Sequence, residues 1–166
     1  MSLLDELESS APQAPMITLV GFPGAGKTSL AGLFPKPIFI QAENAKTVFE
    51  SLSDEEKPAF LKHLPAASKQ QGTRPSKEVM AKLRMILTED HDYQTLVIDS
   101  ITSLNALLEQ EVVEFDEAPS GKPTESIGNA AGGYHKGYDV SMGMHAGVVR
   151  ACEYIRSKKN MTIVFL

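Results

Sequence analysis

The sequence contains one cysteine, Cys152, so no disulfide forms within the chain, and the class of disulfide-stabilised secreted scaffolds is excluded. Long apolar runs are also missing, because none approaches the roughly 18 residues that a membrane-spanning helix requires. The first ten residues, MSLLDELESS, are acidic, and their apolar part is too short for a secretory signal. We therefore expect a cytoplasmic protein that does not enter a membrane.

An excess of positive charge is likewise absent, since the formal net charge of the 166 residues is −5. The charge is nevertheless uneven, because basic residues dominate from Lys57 to Arg84 and acidic residues dominate from Glu109 to Glu125. This asymmetry is compatible with an anion-binding face beside a repelling one, although solvated helix surfaces and a loop are the commoner explanation. The sequence also lacks the Cys and His spacing of a zinc site.

Apolar patterning predicts strands that alternate with helices after a flexible N-terminal tail of residues 1–15. The predicted strands span residues 16–20, 37–41, 95–98 and 161–166. The predicted helices span residues 27–34, 54–64, 76–89, 101–115 and 140–157, and a glycine-rich stretch covers residues 116–137. This alternation indicates an α/β fold in which helices cover both faces of a mainly parallel sheet.

Two segments of this scheme carry specific expectations. The helix at residues 54–64 depends on Ser53 and Glu56, which form a capping-box pattern, although Pro58 weakens the helix. The chain stops on the apolar run TIVFL without a turn, in what is predicted to be a buried strand. Residues 16–166 are therefore expected to form an incomplete domain that lacks at least one further strand and helix.

Glycine and proline are concentrated in GFPGAGKTSL, which begins at Gly21 directly after the first predicted strand. Its first eight residues match G-x-x-x-x-G-K-[ST], the phosphate-binding P-loop. Glycines permit positive φ angles and leave no Cβ in the way, so successive backbone N–H groups can surround phosphate oxygens at the start of a helix. The alternative, a glycine-rich turn with an exposed lysine, is disfavoured by the position between a strand and a helix. The predicted nucleotide-binding residues are Gly21, Pro23, Gly24, Ala25, Gly26, Lys27, Thr28 and Ser29.

Lys27 and Thr28 supply the charged and hydroxyl groups of this loop. We expect the Lys27 ammonium to contact the β- and γ-phosphates as a catalytic residue, and the Thr28 hydroxyl to bind Mg²⁺. A P-loop also requires a carboxylate for the metal, and Asp99 follows the apolar run LVI of the third predicted strand. Asp99 is therefore the second predicted magnesium ligand. A helix N-cap is the alternative role for an aspartate at the end of a strand.

Glu43 is the predicted general base. Asp99 is followed by Ser100 rather than by a glutamate, so the base has to come from another segment. Glu43 lies just past the second predicted strand, which we expect to neighbour the Asp99 strand. From that position its carboxylate can orient and polarise a water for attack on the γ-phosphate. The alternative is a surface glutamate in a loop.

Together, GFPGAGKTSL, PIFIQAENA and YQTLVIDSITSL resemble the RecA-like P-loop ATPases. They are most similar to the short phage-encoded nucleotide-binding AAA-type proteins, some of which act as recombinase-like single-strand annealing proteins. The resemblance covers residues 16–166 and implies a P-loop NTPase fold with three α/β/α layers and strand order 5-1-4-3-2, of which strand 5 is absent here. It also implies ATP and Mg²⁺ as ligands, with Lys27 and Thr28 binding phosphate and magnesium, Asp99 as the Walker B acid and Glu43 as the catalytic glutamate. The polar sensor residue of that family would lie beyond Leu166.

The resemblance further implies single-stranded DNA and other copies of the chain as partners. RecA-like proteins carry a DNA-binding loop after the third strand, and residues 116–138 occupy that place in this sequence. An ordinary mobile loop is the alternative. Candidate side chains for base stacking and phosphate contact are Lys122, Tyr134, His135, Lys136 and Tyr138. A neighbouring subunit's basic residue often completes the nucleotide site in RecA-like oligomers, and the candidates are the basic residues of 57–84, Lys158 and Lys159.

The predicted function is that of an ATP-binding, Mg²⁺-dependent NTPase, which acts on single-stranded DNA in phage recombination or replication, in the host cytoplasm. The absence of a guanine-reading N-K-x-D motif favours ATP. One alternative is a nucleotide-binding interaction module that does not hydrolyse ATP. Another is a small-molecule kinase, although the arginines are dispersed and form no obvious lid.

Overall fold

The computed structural model describes residues 12–44, 46–116 and 124–166. Within these ranges the strands are β1 (Met16–Thr18), β2 (Pro37–Gln41), β3 (Ala59–Phe60), β4 (Thr95–Asp99) and β5 (Thr162–Phe165). The α-helices are α1 (Lys27–Gly32), α2 (Pro75–Thr88), α3 (Ile101–Glu114) and α4 (Lys136–Lys159), and a 3₁₀ turn spans Lys46–Phe49. Every strand pair of the described sheet is parallel, so the α/β fold predicted for a P-loop NTPase is confirmed.

The sheet has the strand order β1-β5-β4-β2-β3. The four predicted strands correspond to β1, β2, β4 and β5, and their order agrees with the 1-4-3-2 part of the arrangement expected for a RecA-like fold. β3 is an additional two-residue strand that pairs with β2 at the edge of the sheet. In the ladder between β2 and β4, Gln41 lies opposite Asp99. This register brings the residues that follow both strands to one end of the sheet, where parallel α/β proteins bind their ligands.

Alternate residues of the strands pack against helices on opposite faces of the sheet. One face lies beneath α2, α3 and α4, and its core includes Ile40, Ile98, Ile163, Leu83 and Leu104. The opposite face lies beneath α1 and the 3₁₀ turn, and its core includes Phe39, Val97, Val164, Ala31 and Phe49. Both faces are covered, as the predicted three-layer architecture requires. Because each fully buried large apolar side chain contributes about 1.5–3 kcal/mol, the face with three helices supplies most of the apolar stabilisation.

The largest difference from the predicted elements lies in residues 54–64, for which the sequence predicts a helix. The capping contacts do form, because the N–H and Oγ of Ser53 donate to Glu56 Oε2 at 3.2 and 2.7 Å. Only a turn follows, since Pro58 has no N–H with which to continue a helix. The chain then extends into β3. The predicted helix is therefore wrong, and a capped turn with an edge strand takes its place.

The other predicted elements are present with shifted ends. β1 ends at Thr18, and the Leu19 N–H makes one further hydrogen bond to the Phe165 carbonyl oxygen at 2.8 Å before the chain enters the loop that precedes α1. α1 ends at Gly32 instead of residue 34, and α4 begins at Lys136, inside the predicted glycine-rich stretch. Gly137 lowers the local helix propensity, so the sequence pattern misses this first turn of α4. Among the described helices, none combines the length and the apolar character that crossing a membrane requires.

Candidate nucleotide-binding site

The loop between β1 and α1 has a backbone shape that its glycines permit. Gly24 and Gly26 have φ angles of +79° and +81°, in the left-handed region that other residues rarely adopt. Gly26 is also the N-cap of α1, and no side chain of the described residues caps this helix. Residues 21–26 are exposed, and the Ala25 N–H donates to the Phe22 carbonyl oxygen at 3.1 Å. The N–H groups of the first turn of α1 have no partners within the helix and remain to bind a ligand. Such N–H groups, together with the helix dipole, favour an anion.

Lys27, the first residue of α1, turns its side chain back over this loop. Its Nζ donates to the carbonyl oxygens of Gly21 at 2.9 Å and Phe22 at 3.1 Å. A neutral carbonyl group binds an ammonium less strongly than an anionic phosphate does, because hydrogen bonds between ions are stronger. The ammonium is therefore held beside the loop amides by partners that a phosphate can replace.

Thr28 and Asp99 are 71 residues apart in the chain and meet at the end of β4, where the Thr28 hydroxyl donates to Asp99 Oδ2 at 3.0 Å. Asp99 is only 1% exposed. Its burial disfavours the charged carboxylate and raises its pKa from 3.8 to about 6. The Thr28 hydrogen bond lowers this pKa, whereas the neighbouring Glu43 carboxyl raises it. Asp99 is thus a buried carboxylate that a bound cation would stabilise.

Glu43 is brought to the same end of the sheet by the backbone that follows β2. The N–H groups of Ala42 and Glu43 both donate to the carbonyl oxygen of Asp99, at 2.7 and 3.3 Å. The side chain of Glu43 is exposed, and its Oε2 accepts a hydrogen bond from the Ser103 hydroxyl at 3.0 Å. The pairing of β2 with β4 therefore fixes the Glu43 backbone beside Asp99, and α3 contacts its carboxylate.

A cavity of about 400 Å³ lies between the phosphate loop, Glu43 and the start of α3. The predicted site residues that line it are Gly21, Pro23, Lys27 and Glu43. The predicted site residues outside its lining are Gly24, Ala25, Gly26, Thr28, Ser29 and Asp99. Of these, Thr28 and Asp99 contact each other. Residues 24–26 form the exposed turn before α1, and Ser29 is exposed on α1. The structure thus brings the predicted base and the predicted phosphate-binding lysine to one cavity.

Two serines of this cavity, Ser100 and Ser103, do not stand out in the sequence as site residues. Ser100 is the N-cap of α3, and its Oγ accepts a hydrogen bond from the Ser103 N–H at 3.2 Å. A serine after a buried strand is a recognisable start signal for a helix, so this cap could have been found. The contact of Ser103 with Glu43 depends on the pairing of β2 with β4, which no local pattern encodes.

The oxygen atoms of Thr28 and Asp99 are ligands of the hard type that Mg²⁺ prefers. Within the described ranges, no group of three or more His, Cys, Asp and Glu side chains is placed to hold a metal ion. A magnesium ion at Thr28 and Asp99 would therefore take its remaining ligands from water and nucleotide phosphates, as Mg²⁺ commonly does. The residues present fit a metal–nucleotide complex and do not fit an all-protein metal cage.

Aromatic side chains surround the start of α4, in the part of the predicted DNA-binding loop that the structure describes. Tyr134 is 93% exposed, and the rings of His135 and Tyr138 are stacked with centroids 5.9 Å apart. Lys136 is the exposed first residue of α4. Lys122, the remaining candidate of this loop, lies outside the described residues.

Some of the basic residues proposed to reach a neighbouring subunit have partners within the chain. Arg74 lies 3.5 Å from the buried carboxylate of Glu111. Lys159 Nζ donates to a backbone carbonyl at 2.9 Å, and Lys158 Nζ lies 5.6 Å from the centroid of the Tyr154 ring. Arg74 is the least available of these cations, because its departure would leave Glu111 buried without its ion pair.

Comparison with known families agrees with this geometry. A family model described as an AAA domain matches residues 13–166, which is nearly the whole chain. No curated protein matches the sequence. The matched range contains the phosphate loop, the Asp99 strand and Glu43. The chain therefore belongs to the AAA domain family of nucleotide-binding P-loop ATPases.

Proposed function

We propose that the protein binds ATP with Mg²⁺ and hydrolyses it to ADP and phosphate with a RecA-like arrangement of residues. The observation that carries this proposal is the contact between the Thr28 hydroxyl and Asp99 Oδ2 at 3.0 Å, which joins the end of the phosphate loop to the end of β4. Glu43 and Lys27 line the adjacent cavity. A phosphate loop, a pair of magnesium ligands and a general base are the parts that P-loop phosphoryl transfer requires.

In this proposal each residue has one role. The backbone N–H groups at the start of α1 and the Lys27 ammonium would hold the β- and γ-phosphates, and Thr28 with Asp99 would hold the magnesium ion. The bound metal would neutralise negative charge on the phosphates. Glu43 orients a water molecule and accepts its proton as the water oxygen bonds to the γ-phosphorus and the bond to ADP breaks. The exposed carboxylate of Glu43 suits this role because water reaches it freely.

We extend the proposal to single-stranded DNA as the partner, in phage recombination or replication. It is supported by the exposed Tyr134, the stacked rings of His135 and Tyr138, and the adjacent cation of Lys136. Exposed aromatic rings beside a cation can stack on bases and contact phosphates. In this extension the protein works as a homo-oligomer in the host cytoplasm, and hydrolysis drives a conformational change or release from DNA.

ATP turnover with and without single-stranded DNA tests the proposal. Lys27→Ala is expected to abolish nucleotide binding, and Glu43→Gln is expected to retain binding but to lose about 10²- to 10⁴-fold in turnover. Lys36→Ala and Glu55→Gln are matched controls, because both side chains are exposed on the surface away from the cavity. Normal turnover by the Lys27 variant would refute the assignment of the phosphate loop.

The same assay separates the alternative functions. Turnover that DNA stimulates supports the proposed role, and it should fall when Tyr134 is replaced by alanine while turnover without DNA stays unchanged. Phosphate transfer to a small acceptor, independent of DNA, would instead indicate a kinase. Tight nucleotide binding with no turnover in the wild-type protein would indicate an interaction module and contradict hydrolysis.

A further inference from the structure

A chain of hydrogen bonds leads from the start of α3 to the carboxylate of Glu43. The Ser100 hydroxyl donates to Ser103 Oγ at 2.9 Å, and the Ser103 hydroxyl donates to Glu43 Oε2 at 3.0 Å. The Ser103 N–H in turn donates to Ser100 Oγ at 3.2 Å. Both serines and Glu43 line the cavity beside Lys27. The hydrogen-bond chain therefore ends on a carboxylate, that of Glu43, which lines this cavity together with Lys27.

The direction of this chain follows from the acceptor at its end. The Ser103 hydroxyl uses its one proton for Glu43, so its oxygen is left to accept a hydrogen bond from Ser100. Each bond polarises the next in such a chain, which strengthens the contact with the charged group. One carboxylate oxygen of Glu43 is thereby held by α3.

The helix cap alone does not explain the Ser103 hydroxyl. Capping of α3 uses the Ser100 oxygen and the Ser103 N–H, and an alanine at position 103 would keep both groups. Among the described residues, the Ser103 hydroxyl forms a hydrogen bond that joins α3 to the Glu43 side chain. The Ser103 hydroxyl is thus not needed for the cap, and its hydrogen bond orients the Glu43 carboxylate.

We infer that Ser103 is a positioning residue, which acts through Glu43 and fixes the orientation of its carboxylate toward the attacking water. This inference depends on the proposed function, because it assigns an orienting partner to the proposed general base. Ser100 supports it by orienting the Ser103 hydroxyl. Misplacement of a catalytic group lowers the rate of the chemical step more than it lowers substrate affinity.

The test compares Ser103→Ala, Ser103→Thr and Ser157→Ala, with kcat and KM for ATP as one measurement and the Kd of a fluorescent ATP analogue as another. Ser157 is an exposed serine on α4 and serves as the matched control. Ser103→Ala is expected to lower kcat by about 10-fold or more, the scale of a lost hydrogen bond to a charged group, while the Kd stays within about 2-fold. Ser103→Thr keeps a hydroxyl and is expected to recover most of the lost turnover.

A double variant distinguishes positioning from general damage. If Ser103 acts only through Glu43, Ser103→Ala should cause no further loss in a Glu43→Gln background. Additive losses, an unchanged kcat in Ser103→Ala, or a Kd that rises as much as kcat falls would each overturn the positioning role. These results would leave the proposed function intact as long as Glu43→Gln keeps its large loss of turnover. Full turnover by Glu43→Gln would instead overturn both the proposed base and its positioning.

Discussion

Replacement of Asp99 by asparagine is expected to stabilise the metal-free protein at neutral and alkaline pH. Asp99 is 1% exposed, and burial raises its pKa from 3.8 to about 6. The folded state therefore binds the proton more tightly than the unfolded state, so the free energy of unfolding falls as the pH rises from about 4 to about 6. Above that window the wild-type protein carries a buried charge, whereas an asparagine remains neutral and its oxygen still accepts the Thr28 hydrogen bond.

The magnitude follows from the size of the pKa shift. A shift of about 2 units corresponds to about 3 kcal/mol, which is an upper limit because water near the cavity reduces the cost of the charge. In a domain of this size, that free energy corresponds to a rise of roughly 6–12 °C in melting temperature. Below pH 3.8, the pKa of the unfolded state, the aspartic acid of the wild type and the asparagine of the variant are both neutral. The difference in stability between the two proteins should therefore largely vanish there.

Thermal unfolding measures the difference in stability between the wild-type protein and Asp99→Asn. The experiment is run between pH 4 and pH 8, with a chelator present and without nucleotide. Asp92→Asn is the control, because Asp92 is exposed and its ion pair with Lys36 lies at the surface, where such pairs contribute little. A variant that is less stable than the wild type at pH 8 would refute the reasoning. So would a stability difference that does not change with pH.

Three further predictions concern the rest of the fold. Gly137→Ala should destabilise the protein by several kcal/mol in urea unfolding, since the new Cβ would lie 2.2 Å from the Ile127 carbonyl oxygen. The control is Gly147→Ala in the same helix, where the new Cβ meets open space and the change should be neutral or stabilising by up to about 1 kcal/mol. Cys152 is buried, and burial raises the pKa of its thiol to about 12, so Ellman's reagent at pH 8 should label it only after unfolding; rapid labelling of the native protein would contradict this. Glu111→Ala should cost about 1–3 kcal/mol in urea unfolding, because the N–H and hydroxyl of Ser76 in the first turn of α2 would lose their buried acceptor; a loss below about 0.5 kcal/mol would show that this contact is not needed.

The parts of the site that the sequence predicts are those whose chemistry is local. The glycines of the phosphate loop, Lys27 and Thr28 lie within one short segment between a strand and a helix. This single local motif therefore predicts both the conformation of the loop and the position of its positive charge. Asp99 is recognisable because it ends an apolar strand. These residues required no knowledge of how the strands pair.

The parts that the sequence does not predict depend on distant segments. Ser53 and Glu56 make the expected capping contacts, yet the segment after Pro58 pairs with β2 as a strand, because tertiary pairing overrides local helix propensity. The role of Ser103 is invisible for a similar reason, since its hydroxyl meets Glu43 only when β2 and β4 are neighbours.

One carbonyl oxygen, that of Asp99, accepts hydrogen bonds from two successive N–H groups, those of Ala42 and Glu43. The candidate metal ligand and the candidate base are therefore mounted on a common backbone junction and not on independently moving loops. A cation bound by the Asp99 side chain, as proposed, would act on a residue whose own carbonyl oxygen anchors the Glu43 backbone. The proposed metal site and the proposed base would then be linked through the main chain.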